Sequence, residues 1–195
     1  MYLKLENDKQ IKKFYNLLPL YKSILFKKVK FEIESNDEQT NIIVKGLNIK
    51  NRKQRIAFIY DESCKLIDKN TKGKNICGFK NCKCYSQKNN NYTYGCCRMC
   101  RYKTNRGCPT KNLACKLFYC SEVKKYHNVI EYKDLKMLKL LNIRQRFLVK
   151  SDYFTLREDV LKDLYSYSFI YSSIKIIFRM TINIFYVKFI KSNDC

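Results

Sequence analysis

The chain has 195 residues, 46% of them hydrophobic, and a formal charge of +23. That length admits one domain or two small ones, and the apolar content excludes wholesale disorder. The charge points towards nucleic acid or an anionic membrane surface.

The basicity has a second explanation. The chain is rich in Lys, Asn, Ile, Tyr and Phe, which AT-rich codons encode. It has no Trp, two Pro, five Gly, and only Ala57 and Ala114 as alanines. An AT-biased genome yields that composition whatever the protein does. The opening residues, MYLKLENDKQIKK, carry charges throughout and no apolar core, unlike a secretory signal. The expectation is therefore a cytoplasmic chain, with peripheral membrane as the alternative, in which clustered cysteines are ligands or reactive thiols and not disulfides.

In chain order, residues 7–28 read as a helix. Ile11, Phe14, Tyr15, Leu18, Tyr21, Ile24 and Leu25 fall near a 3.6-residue period, Asn7 or Asp8 caps the start, and Pro19 interrupts the pattern. Val29, Phe31 and Ile33 alternate with charged residues as a half-buried strand does. Residues 41–45 and 55–60 read as second and third strands, and 64–67 as a short fourth. Short polar connections between them predict an antiparallel meander. Arg52, Lys53 and Arg55 read equally as a basic loop or a solvated turn.

From Lys69 to Ser121 there is no Asp or Glu. Beyond this segment, Leu135, Met137, Leu138, Leu140, Leu141 and Leu148 predict a helix over 133–149. Thr155-Leu156-Arg157-Glu158 has the capping-box form and starts another, running to at least Tyr165. In residues 164–190, Ser168, Ser172, Lys175, Arg179, Asn183 and Tyr186 make one narrow polar stripe on an otherwise apolar helix. Lys175 and Arg179 at the centre of a membrane span would cost ~2.5–3.5 kcal/mol each. Spanning is thereby disfavoured. The helix either buries its apolar surface against the N-terminal layer or a second subunit, or lies on a membrane surface.

The predicted architecture is α+β: an N-terminal helix on a small antiparallel sheet (1–70), a central cysteine-rich metal-bound module (71–127), and a helical C-terminal part (128–195).

Nine of the eleven cysteines lie in residues 77–120: Cys77, Cys82, Cys84, Cys96, Cys97, Cys100, Cys108, Cys115 and Cys120. Cys97-x2-Cys100 has the spacing by which two sulfurs of a tight turn reach one tetrahedral ion. Nine thiols with His127, the single histidine, suffice for two closed zinc sites. A four-thiolate zinc site carries about −2 by formal counting. The surrounding cations would lower thiolate pKa and offset that charge. Iron–sulfur ligation is the rival: Cys108-Pro109 resembles the end of a ferredoxin run, but the C-x2-C-x2-C run is missing. A third reading is a set of reduced thiols without metal. His127, between Tyr126 and Asn128, reads as a surface or capping residue or as a ligand.

Gly95-Cys96-Cys97-Arg98-Met99-Cys100, Gly107-Cys108-Pro109-Thr110, Asn112-Leu113-Ala114-Cys115-Lys116 and Cys120 resemble a group of bacterial cysteine-cluster proteins. Arg144-Gln145-Arg146 and Arg157-Glu158-Asp159 fit the same group. The resemblance covers residues 77–163. That group has no assigned activity, so the likeness implies no functional residues. A looser likeness is to bacterial proteins labelled zinc- or iron-chelating, on the double cysteine Cys96-Cys97.

No glycine-rich phosphate loop, metalloprotease helix or nucleophile elbow is present, and no small-molecule substrate is indicated. The reading is a non-enzymatic, zinc-stabilised basic protein that contacts nucleic acid. Lys80, Lys83, Arg98, Arg101, Lys103 and Arg106 would meet phosphates, and Tyr92 and Tyr94 would stack on unpaired bases. The alternatives are an iron–sulfur or thiol redox or chelating protein, and a membrane-surface or second-subunit interaction through residues 164–190.

Overall fold

The computed structural model describes residues 1–78, 80, 84–89, 100–102, 110, 112–166 and 168–189. The chain divides into two compact units. Unit 1 comprises residues 1–63 and 133–146, and unit 2 the described residues of 64–132 and 147–195.

Unit 1 is built on helices. After β1 (Tyr2–Lys4), α1 runs Asp8–Tyr21. Asn7 caps it by accepting from the Gln10 N–H (3.0 Å), and the Gln10 side chain reaches back to the Glu6 N–H. Its buried face is Phe14, Tyr15 and Leu18, and the helix ends two residues beyond Pro19. A 3₁₀ turn (Ile24–Phe26) leads to β2 (Glu32–Glu34). β1 and β2 pair in parallel, with Tyr2 opposite Glu32 and Lys4 opposite Glu34. The intervening helix supplies the crossover that parallel pairing requires.

The predicted antiparallel sheet is not formed. Its first strand survives as β2, but its partner is the N-terminus. Residues 41–45 lie in α2 (Glu38–Asn48), and residues 55–60 and 64–67 lie in α3 (Arg52–Thr71). The physical reason lies in period and caps. Ile56, Ile59, Tyr60, Ser63, Cys64 and Ile67 are all buried, a spacing of three and four sustained over three turns. A six-residue window of β-branched and aromatic residues hides that period. Asp37 caps α2 through the Thr40 N–H (2.9 Å) and Asn51 caps α3 through the Gln54 N–H (3.1 Å).

Asp37 also accepts from the Tyr15 hydroxyl (2.7 Å), so one carboxylate starts α2 and holds α1. Asn48 exchanges two hydrogen bonds with the Phe31 backbone (2.8 and 2.7 Å), tying the end of α2 to the entry of β2. The predicted helix over 133–149 is broken. It consists of two 3₁₀ turns (Tyr132–Asp134 and Lys136–Leu140) followed by α7 (Ile143–Ser151). Asn142 and Gln145 form a reciprocal cap (2.8 and 3.0 Å) that starts α7 afresh. The Lys136–Leu140 turn packs on α1 and α2.

Unit 2 holds the end of α3, the short helices α4 (Tyr85–Lys88), α5 (Leu113–Leu117) and α6 (Ser121–Tyr126), most of α7, α8 (Arg157–Tyr165) and α9 (Phe169–Phe189). The expected capping box at Thr155 does not form. The Thr155 hydroxyl donates to Asp152 (2.6 Å), and α8 starts at Leu156 without a side-chain cap.

The polarity of α9 is inverted relative to a surface helix. Ser172 and Asn183 on its polar stripe are buried, and Phe169, Ile170, Tyr171, Ile174, Ile177, Phe178, Ile184, Phe185 and Phe189 are exposed. Asp163 binds Lys175 (3.0 Å) and Arg179 (2.7 Å), and Asp152 binds Arg179 (3.1 Å); both carboxylates are almost completely buried. The stripe therefore faces the helix's own unit.

Burial pushes the Asp152 carboxyl up to about 6, against the opposing pull of Thr155 and Arg179. In the unfolded chain it titrates near 3.8. Between those values the folded form retains a proton that the unfolded form has lost. This group's contribution to stability is therefore complete at the acid end and falls as pH rises through about 4 to 6. Asp152→Asn removes the titration. In urea unfolding, the variant should gain on the parent by up to about 3 kcal/mol between pH 4 and 7. A gap independent of pH, or one moving the other way, would contradict the burial argument.

Candidate metal centre and nucleic-acid interface

Of the predicted ligands, Cys82, Cys96, Cys97 and Cys108 lie outside the described residues, as do Lys83, Arg98, Lys103, Arg106, Tyr92 and Tyr94. Among the described residues no three His, Cys, Asp or Glu side chains gather as a metal site. The described cluster cysteines are Cys77, Cys84, Cys100, Cys115 and Cys120. Cys84 and Cys100 are buried, and the other three are half-buried.

Cys77 lies in the turn that Asn75 and Gly78 close, and its carbonyl meets the residue after Cys84. The Gly78 N–H donates to Asn75 O (2.8 Å), and the Tyr85 N–H donates to Cys77 O (3.0 Å). Gly78 has φ +59°, and a Cβ there would fall inside the Tyr85 ring. Tyr85 in turn stacks on Tyr126 at 4.8 Å and lies 6.3 Å from the His127 ring. The His127 N–H closes the end of α6 on Val123 O (3.0 Å), as a capping residue does. Its Nε2 is buried with no hydrogen-bond partner among the described residues.

Cys115 sits at the start of α5. Asn112 caps α5 by accepting from the Cys115 N–H (2.9 Å), and its amide donates to Asp152 O (2.7 Å) and Thr155 O (3.0 Å). These bonds join α5 to the segment between α7 and α8. That segment delivers the Phe154 N–H to Cys115 Sγ at 3.3 Å. Phe154 has φ 58°, a left-handed conformation that is uncommon for an aromatic residue. An N–H directed at sulfur favours thiolate over thiol, which is the form a metal binds. Cys120 precedes α6 at the N-cap position without capping it through its side chain.

Of the predicted phosphate contacts, Lys80 is exposed. Arg101 is engaged with its own unit. Its backbone N–H donates to Asn183 of α9 (3.0 Å), and its guanidinium lies 4.7 Å over the Tyr102 ring and donates to the Tyr102 hydroxyl (2.6 Å).

A gathering of cations that the sequence reading did not place occurs in unit 1. A cleft of about 740 Å³ is bordered by Tyr15, Lys22, Lys139, Arg144 and Arg146. Two smaller cavities, of about 240 and 160 Å³, are bordered by Lys22, Arg52 and Arg55. Lys22 borders all three, and no described residue lining any of them is Asp or Glu. Burial, then Arg146 and Arg55, hold the Lys22 ammonium below its ordinary pKa. Burial, then Arg52, do the same to Arg55. Like charges gathered in clefts whose described lining holds no carboxylate favour an anion. Arg52 and Arg55 are near neighbours in sequence, but Arg144 and Arg146 are some ninety residues away, so no local signal marks the set.

Comparison of the chain with protein-family models, with curated proteins and with solved structures gives no match.

The Gly78 turn has a direct test. Gly78→Ala must combine a positive φ with displacement of the Tyr85 ring, and should cost about 2–4 kcal/mol in denaturant unfolding. Gly73 also has positive φ, but nothing lies within 4 Å of a Cβ there. Gly73→Ala should cost only about 1 kcal/mol, the conformational part alone. Equal effects at the two positions would mean that Tyr85 does not seat on Gly78.

Proposed function

We propose that the protein is a non-enzymatic, metal-binding basic protein whose cysteine-rich segment holds structural zinc. The observation that carries this reading is the Phe154 N–H held on Cys115 Sγ by a backbone in the left-handed region. The burial of Cys84 and Cys100 is consistent with it, in a segment that contains no carboxylate to serve as an alternative ligand. Thiolate-rich sites of this kind suit zinc, and a closed site contributes its binding energy to folding. The buried Nε2 of His127, without a hydrogen-bond partner among the described residues, suits a mixed cysteine–histidine site as well as the all-cysteine one. Elemental analysis of native protein should return zinc in at least stoichiometric amount, with no visible colour, and Cys115→Ser should lower that content. Iron with absorption near roughly 400 nm would replace this reading by the iron–sulfur one. Absence of any metal would overturn both.

A second reading, contact with nucleic acid, is favoured by the carboxylate-free clefts around Lys22. Phosphates would meet Lys139, Arg144 and Arg146 in addition to the cations of the cysteine-rich segment. Binding of a fluorescent single-stranded oligonucleotide should weaken steeply with salt. Lys139→Gln with Arg144→Gln should lower affinity about tenfold and reduce the salt slope by roughly 1.4, two contacts at the single-strand increment. Lys9→Gln with Lys12→Gln, on the exposed side of α1, removes the same charge and should cost less than about twofold. Equal losses from the two pairs would refute a localised site.

A further inference from the structure

The exposed face of α9 asks for a partner. Ile170 is 73% exposed, Ile177 66%, Phe178 64% and Phe185 59%. The patch extends onto α7, where exposed Phe147 lies 5.3 Å from the Phe169 ring. A contiguous apolar surface of this kind on a soluble chain marks an interaction site.

We propose that α9 lies in the plane of an anionic membrane surface, its apolar face among the upper acyl chains and its polar stripe held on its own unit. At 21 residues the helix is about 32 Å long. Its length and composition would also satisfy a membrane crossing. The ion pairs decide between the two orientations. Lys175 and Arg179 are bound to Asp152 and Asp163, which belong to the end of α7 and to α8. A crossing would break those pairs in hydrocarbon or drag both carboxylates in with them. An in-plane helix keeps them intact.

Charge selects lipid over a second copy of the chain. Each chain carries +23, so two copies repel while an anionic surface attracts. Residues 169–189 contain no Asp or Glu. Exposed Lys188 lies at the edge of the apolar face, 5.5 Å from the Phe189 ring centroid, placed to meet headgroups.

The full chain tests this directly. It contains no Trp, so Phe178→Trp provides a single reporter. Emission should shift to the blue on adding phosphatidylcholine vesicles that contain phosphatidylserine, and far less with phosphatidylcholine alone. Ile177→Gln with Phe185→Gln, both exposed, should reduce co-sedimentation with the anionic vesicles by about tenfold or more. The same variant should retain the parent's circular dichroism and oligonucleotide affinity, which separates loss of this face from misfolding and from the nucleic-acid reading. Unchanged co-sedimentation would overturn the proposal, since charge alone would then account for binding. It is equally overturned if the parent is a stable dimer by light scattering, the dimer persists with vesicles, and the variant is monomeric, because a second copy then covers the face.

Discussion

The buried charge cluster of Asp152, Asp163, Lys175 and Arg179 is the constraint on which unit 2 depends. Two carboxylates withdrawn from water need cations, and α9 supplies both from one stripe. Such clusters add little net stability compared with apolar replacements, but they penalise any arrangement that leaves one member alone, by roughly 3–5 kcal/mol. The penalty acts on orientation. With Lys175 and Arg179 turned inwards, most Ile and Phe side chains of α9 turn outwards, Ile176 being a buried exception. The apolar face is thus a consequence of the ion pairs.

The cluster also reaches the cysteine segment. Asp152 bonds Thr155 through its side chain and Asn112 through its backbone carbonyl. Asn112 starts α5 at Cys115, and Phe154 within the same turn delivers its N–H to the sulfur. The Arg101 N–H is held by Asn183, one further turn along the stripe, and so fixes the residue that follows Cys100. Two of the buried or half-buried thiols are therefore positioned from α9 and from the segment between α7 and α8. Unit 1 depends on a comparable device, Asp37, which caps α2 and receives the Tyr15 hydroxyl of α1.

Several features could be read from the residues alone. Asn7 as a cap, the burial of Phe14, Tyr15 and Leu18, the strand around Ile33, and the polar stripe of the last helix all follow from short-range patterns, and the structure has them. Sequence pattern and structure part where two periods compete over a short window. Ile42-Ile43-Val44 and Ile56-Ala57-Phe58-Ile59-Tyr60 have strand-like propensity, yet the caps at Asp37 and Asn51 and a period extending to Ile67 make them helices. Leu135 to Leu148 fit one helix by period alone, but the reciprocal cap of Asn142 and Gln145 starts α7 afresh. Thr155 matched a capping motif but found Asp152 a better partner than its own backbone.

The sequence by itself determined the cysteine spacing, the basic composition, the first cap and the amphipathic character of the last helix, because each depends only on residue type and near neighbours. Tertiary structure decided which face of α9 points outwards. Periodicity defines two faces but cannot say which is inside; that depended on the buried Asp152 and Asp163 pairing with Lys175 and Arg179. It likewise decided that Lys22 borders one cleft with Arg144 and Arg146 and another with Arg55, since electrostatics acts through space and these residues are far apart along the chain.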